Sequence, residues 1–310
     1  MPAIPKLGGS PFLTDAGLET CMVFKDGLDL PCFSSFVLLD DPRGRACLET
    51  YFRGFLDLAA KHDAGFVLDS PTWRSNTDWG AAVGYDQSAL DQANRDAIAF
   101  IAALRAGSAM ADRTVLNAVV GPRGDGYSPD TIMTAAEAQA YHARQISVAA
   151  DAGADMASAI TMNYVEEAQG IAAAAAAAGL PAVISFTVET DGRLPTGMTL
   201  ADAIKRTDDA AGGIAYFMIN CAHPSHFADA LSDPELADRI GGIRANSSRM
   251  SHAELDAAEE LDEGNPVELA ADYRGLLTAL PHLCVLGGCC GTEHRHVDAI
   301  AQACLPVMRS

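Results

Sequence analysis

The chain has 310 residues, 49% of them hydrophobic, and a formal net charge of -20 at pH 7. That size and apolar content allow a large buried core, in two domains or in one barrel-sized domain, while no apolar run approaches the roughly 18 residues needed to cross a bilayer. The acidic balance argues against nucleic acid or an anionic membrane as partner, since both need a basic face. With no basic-then-apolar leader, and eight cysteines outside any small disulfide-scaffold spacing, the expected setting is the reducing cytoplasm.

Short apolar, β-branched runs alternate with longer helical stretches, the pattern of βαβ units around a parallel sheet. The first strand is expected at Phe12 to Asp15. Residues 20–45 follow, rich in aspartate, glycine, proline and aromatics, and read as an insertion after strand 1 that folds over one end of the barrel. Strands at Gly65 to Asp69 and Thr114 to Val120 flank a helix over Ser88 to Arg105. Ser128-Pro129 marks a turn, and Thr134 with Glu137 forms a capping-box signal for a helix over Ala135 to Ala152, stopped by Asp151-Ala152-Gly153. Asp155 to Thr161 is the fourth strand, and the helix Glu166 to Ala178 ends at Gly179-Leu180-Pro181. Its alanine run is a strong helix former and needs no functional account. The remaining strands are Ala182 to Thr187, Ala215 to Asn220, Gly242 to Ala245 and Leu283 to Leu286, with helices over Leu200 to Ala211, Pro266 to Ala279 and His294 to Ala303. Eight alternations across residues 1–310 predict a single-domain α/β fold, the (βα)8 TIM barrel. The competing doubly wound sheet lacks its GxGxxG loop after the first strand.

Active sites of such barrels lie at the C-terminal ends of the strands. Cys221 closes the sixth strand in Ile219-Asn220-Cys221-Ala222-His223-Pro224, and Cys289-Cys290 follow the eighth in Leu286-Gly287-Gly288-Cys289-Cys290-Gly291-Thr292. Any single cysteine packs readily as a small hydrophobe. In a regular strand, however, neighbours point to opposite faces, and glycines at 287, 288 and 291 free the backbone so that both sulfurs can turn to one ion. Three thiolates with an open fourth position are the pattern of a catalytic zinc. Asp15, Glu19, Asp69, Thr72, Trp73, Arg74, Asn163, Glu189, Asp191 and Asn246 are expected at the same rim. Strand-end polar residues of this kind also serve as helix caps. Trp73, Tyr85, Phe24 and Phe36 are available for cation–π contact, against ordinary core packing. His223, His226, His294 and His296 flank the metal loops as outer partners of the site or as caps. Cys21 is expected close to the site, whereas Cys32, Cys47, Cys284 and Cys304 have no assigned role.

The residues Asp15-Ala16-Gly17-Leu18-Glu19-Thr20, Ile184-Ser185-Phe186-Thr187-Val188 with Asp191-Gly192-Arg193-Leu194-Pro195-Thr196-Gly197, the Asn220-Cys221 run and the Gly287 to Thr292 run together resemble the homocysteine S-methyltransferase family over nearly the whole chain. The resemblance implies a zinc-dependent barrel. Such an enzyme moves a methyl group from a sulfonium or quaternary ammonium donor to a small thiol, by default homocysteine, giving methionine. It implies Cys221, Cys289 and Cys290 as zinc ligands that act through the metal. It also implies Asp15 as partner of the acceptor's amino group; Gly17, Glu19, Thr72, Trp73, Asn163 and Asn246, placed near the same rim by the strand ends, are further substrate-binding candidates. Two departures matter. Asp15-Ala16-Gly17 replaces the family's Asp-Gly-Gly, and Ile160 stands where the glutamate of a strand-four Glu-Thr pair is expected. An ammonium facing isoleucine forgoes a charge-assisted hydrogen bond worth roughly 1.5–3 kcal/mol. Either Glu166, Glu189 or Asp69 substitutes, or the acceptor is another thiol or selenol. The residues also leave open a zinc- or thiol-binding barrel without methyl transfer, and hydrolysis by a metal-bound water, which an all-thiolate ligand set disfavours. Self-association into a homo-oligomer is open.

Overall fold

Eight parallel strands close in chain order into a barrel, β1 Phe12–Leu13, β2 Gly65–Asp69, β3 Thr114–Val120, β4 Met156–Met162, β5 Ala182–Phe186, β6 Ile214–Asn220, β7 Ile240–Ala245 and β8 Val285–Gly288. This computed structural model describes residues 3–129, 131–210 and 212–309. The helices are α1 Leu18–Phe24, α2 Pro42–Lys61, α3 Thr77–Ala82, α4 Gln87–Ala106, α5 Ala135–Asp151, α6 Val165–Ala177, α7 Leu200–Ala210, α8 Pro224–Phe227, α9 Pro234–Ala237, α10 His252–Asp256, α11 Pro266–Leu276 and α12 His294–Met308. The expected (βα)8 barrel is the observed one. Ala211, the expected end of α7, lies outside the described residues. None of the described helices is long and apolar enough to cross a membrane.

Among the strands, the boundaries differ most at the seam. Only Phe12–Leu13 is regular strand in β1, yet its ladder runs on. Thr14 N donates to the Leu286 carbonyl at 2.8 Å, and Gly288 N to that of Asp15 at 2.9 Å. Asp15 is therefore held in the β1–β8 seam by backbone bonds, although the strand has already begun to turn. At the other side of the seam β8 runs past its expected limit to Gly288, and Gly287 permits the close approach of Thr14 and of the Asp15 carbonyl.

Residues 20–45 are an ordered cover over one end. They comprise most of α1, 3-10 turns over Pro31–Phe33 and Ser35–Asp40, and the start of α2. Asp41 caps α2 by accepting from Gly44 N at 2.6 Å, and Pro42 supplies the preset backbone angle of a first helical turn. The predicted capping box of Thr134 and Glu137 opens α5.

Two layers of core follow from the alternation of side chains along each strand. Val67, Val115, Met156, Val183, Tyr216, Met218, Cys284 and Val285 form one cluster, with Ile4, Leu7 and Phe12 packed against it. The larger cluster, including Phe52, Phe66, Ile101, Ile146, Ile184 and Ile300, joins strands to helices. The alanine run of α6 allows its close approach to α5, and Gly170 marks the tightest point: a Cβ there would meet Gln139 N at 2.6 Å and Ala135 O at 2.7 Å.

That contact generates a prediction in which two effects oppose each other. Alanine is the better helix former by roughly 1 kcal/mol, but Gly170→Ala drives a methyl group into backbone that cannot yield as a side chain can. Overpacking of this kind costs about 1–3 kcal/mol or more. Urea denaturation should show a net loss of stability; a gain would mean that α5 and α6 separate freely.

Candidate active site

Strand ends bring the three cysteines together. β6 ends at Asn220, and Cys221 turns in the left-handed region (φ 53°), its N–H donating to the Arg244 carbonyl at 3.0 Å. Cys289 N donates to the Ala245 carbonyl at 2.9 Å, so both cysteines hang from β7. Gly291, at φ 75°, reverses the chain directly after the pair. Gly17 closes the opposite side so tightly that a Cβ on it would lie 2.6 Å from the Cys289 carbonyl oxygen. The sulfurs of Cys221, Cys289 and Cys290 all lie within 4.8 Å of one another, a grouping able to hold a metal ion. In this structure Cys221 and Cys289 are paired, with their Cα atoms 5.3 Å apart, and Cys290 is free.

The cluster lies in the wall of a cavity of about 510 Å³ at the C-terminal end of the barrel. Asp15, Gly17, Glu19, Trp73 and Asn246 share that wall, as do Asp69, Arg74 and Ile160. Thr72 and Asn163 are buried behind it. Thr72 Oγ1 donates to the Val119 carbonyl at 2.7 Å, and Asn163 Nδ2 donates to those of Asp125 and Gly126 at 2.9 and 3.0 Å. Trp73 gives its indole N–H to the Ile160 carbonyl at 3.2 Å, and the Arg74 guanidinium sits 4.8 Å from its ring centre and 4.0 Å from that of Trp79. The Trp73 ring thus already carries a cation. Phe24 lines the cavity and is exposed, whereas Phe36 and Tyr85 pack edge to face on each other away from it.

The other expected polar residues have local partners. Glu166 pairs with Arg206, and Asp191 accepts from Arg193 N. Glu189 meets His252 at 3.2 Å. His223 caps α8 through Ser225 N, His226 reaches the Arg249 carbonyl, His294 stacks on Phe55, and His296 bonds the Glu263 carbonyl. Burial holds His223 down at about 4, so it is neutral at physiological pH. Cys21 lies beside the site with its thiol against the Thr292 carbonyl at 3.6 Å, pushed up to about 12 by burial.

Several cavity residues escaped the sequence reading. Arg244, in β7, is buried and forms ion pairs with both Asp15 and Asp69, and its Nε donates to the Gly288 carbonyl at 3.2 Å. An arginine inside an apolar strand was the available signal, because such a charge is almost never buried unpaired. Burial raises the Asp15 carboxyl to about 7 against the pull of Arg244, with Asp69 and Glu19 adding to the rise. Burial likewise raises Glu19, against a hydrogen bond from Ser35 at 2.8 Å. Thr161 stands at φ 66°, an unusual angle for a β-branched residue, at a register shift between Ala159 and Met162. Asn220 holds it there, accepting from Thr161 N at 3.0 Å and donating to its hydroxyl at 2.8 Å. His252 stacks on Tyr127 at 4.0 Å and bonds the Cys221 carbonyl at 2.7 Å, covering the cluster from α10.

None of the curated protein sequences matches the chain. Among solved structures it is similar to the homocysteine methyltransferase MmuM from Escherichia coli. The metallated form aligns with TM-score 0.71 and 19% identity over 94% of this chain and 96% of that one. The oxidized form gives 0.74 and 19% over 94% and 95%, and the apo form 0.65 and 18% over 95% of each. At such identity the likeness carries the fold. The family itself comes from the sequence profile described as homocysteine S-methyltransferase, which matches residues 12–304. The barrel, the cysteine cluster at its C-terminal face and a match spanning nearly every residue agree: the chain belongs to the homocysteine S-methyltransferase family and is a methyltransferase acting on a thiol.

Proposed function

We propose that the protein is a zinc-dependent S-methyltransferase that moves a methyl group from a sulfonium or quaternary ammonium donor to a small thiol. The observation that carries this reading is the convergence of three cysteine sulfurs, within 4.8 Å of one another, in the wall of the cavity. An all-sulfur set suits zinc, and three protein ligands leave a fourth position for an acceptor sulfur. Cys221, Cys289 and Cys290 would hold the ion once the Cys221–Cys289 pair is reduced. When bound, zinc keeps a thiol as its nucleophilic thiolate at neutral pH, where a free thiol near pKa 8.5 is only a few per cent ionised. The metallated form among the MmuM structures supports the same assignment.

The chain's own residues shape the rest. Tyr127 donates a hydrogen bond toward Cys290, and His252 fixes the Cys221 carbonyl and covers the cluster. Cys221 is buried, and Cys289 and Cys290 are half-buried at the cavity wall. Glu19, Asp125, Asp256, Glu260 and Asp262 give the cavity an acidic wall that attracts a cationic donor. Asp262 is held below the usual carboxylate range by the Ser248 hydroxyl, so its charge persists. In-line attack needs the methyl carbon about 3–3.5 Å from the acceptor sulfur with its leaving group directed away. Homocysteine, which would give methionine, is the reference acceptor of the family.

Two outcomes are expected. Reduced protein should bind about one zinc per chain, as measured by elemental analysis, with Cys289→Ala and Cys290→Ala losing it and a chelator abolishing methyl transfer. A panel of methyl donors against thiols, read by mass spectrometry of the methylated product, tests the reaction; full turnover in both cysteine variants would refute the metal role. Zinc affinity should also rise with pH. Burial, with Glu19 adding to it, pushes the Cys290 thiol up to about 11. The metal takes the thiolate and releases that proton, so below this value each unit of acidification should weaken binding about tenfold from this thiol alone. A competition titration with a chromogenic chelator between pH 6 and 8, roughly the range where the protein is expected to stay folded, measures that slope.

A further inference from the structure

Most of the donors on the Arg244 side chain are committed. Its terminal nitrogens serve the carboxylates of Asp15 and Asp69 and, at 3.5 Å, the Ala16 carbonyl, while Nε serves the Gly288 carbonyl. The acceptors are committed as well. The second oxygen of Asp15 receives the Tyr51 hydroxyl at 3.2 Å, and the second oxygen of Asp69 receives Asn117 Nδ2 at 2.7 Å. A guanidinium therefore lies between the two carboxylates next to the cysteine cluster, and every oxygen of both already has a protein partner. An arriving ammonium would find neither a bare carboxylate nor distance from a like charge. The end of β4 offers no carboxylate in compensation, because Ile160 and Thr161 are the residues it contributes to the cavity wall.

We propose that Arg244 and Ile160 set acceptor specificity, so that this site takes a small thiol carrying no ammonium group and discriminates against α-amino thiols such as homocysteine. The inference rests on the thiol methyl-transfer reading and narrows its substrate class. Asp15 becomes a partner of the protein's own cation instead of the substrate's. Glu19, one step along the wall on α1, is the remaining inner carboxylate to control for; its Oε1 already accepts from Ser35.

The test compares homocysteine with 4-mercaptobutanoate, the same carbon chain without its amino group. Binding of each to the reduced, cobalt-substituted protein is titrated through the sulfur-to-metal absorption band, with no donor present. The expected result is at least about tenfold tighter binding of 4-mercaptobutanoate, the scale of a lost charge-assisted contact. Ile160→Glu should shift the ratio at least about tenfold toward homocysteine, and Ile160→Glu with Arg244→Met further still; an about tenfold or greater loss of homocysteine binding in Glu19→Gln, with 4-mercaptobutanoate binding kept, would assign the ammonium to Glu19 and overturn the inference. The wild-type ratio needs no variant, so the test survives if the Arg244 substitution fails to fold. Equal or tighter binding of homocysteine by the wild type overturns the inference and leaves methyl transfer standing. No band change with either thiol removes the thiol-transfer reading, and the inference with it.

Discussion

The C-terminal face of this barrel depends on one guanidinium. Arg244 leaves β7 and reaches Asp15 after β1, Asp69 at the end of β2 and the Gly288 carbonyl of β8, so a single side chain ties the strands on either side of the closing seam. Its burial is tolerable only because every charge in the group is paired. Removing one member of such a cluster typically costs about 3–5 kcal/mol, since the partner is left charged in a poor solvent. β1 has only two residues of regular strand. Side-chain tethering of Asp15 therefore does at the seam what a longer strand would do with backbone bonds.

The same residue organises the sulfurs. The backbone carbonyl of Arg244 receives Cys221 N, and its neighbour Ala245 receives Cys289 N. Tyr273 braces the same spot, accepting from Ala245 N at 2.6 Å and donating to the Gly287 carbonyl at 2.7 Å. The cysteine geometry and the charge balance beside it are thus built on one stretch of β7. The two are joined within one residue and its neighbour, without any long pathway.

The barrel was legible because its strands are apolar runs separated by helices with clear caps, and the cysteine cluster because adjacent thiols between glycines have few structural uses. What the sequence left hidden is pairing across the barrel. Asp15 read alone is a carboxylate free to take an ammonium; its partner lies 229 residues away, and no local pattern couples them. Trp73 read alone is an open aromatic face, yet Arg74 folds back over it. Thr72 and Asn163 sit at strand ends as expected, but hydrogen bonds to backbone turn them behind the wall. In each case periodicity sets which strand end a residue occupies, and three-dimensional pairing sets what it can still bind.

The cavity consequently separates two electrostatic tasks. Around the sulfurs, Asp15 and Asp69 are compensated by Arg244. The loop after β7 contributes Asp256, Glu260 and Asp262 to the same cavity wall, and the Ser248 hydroxyl holds the Asp262 carboxyl below the usual range. On the proposed reaction a cationic methyl donor would meet these acids rather than the inner pair held by Arg244, so donor and acceptor would not compete for one carboxylate. With a sulfonium donor, methyl transfer would leave an uncharged thioether, which would lose that attraction. With the charges split between β7 and its following loop, a change of acceptor specificity at Arg244 and Ile160 would leave the proposed attraction for a cationic donor as it is.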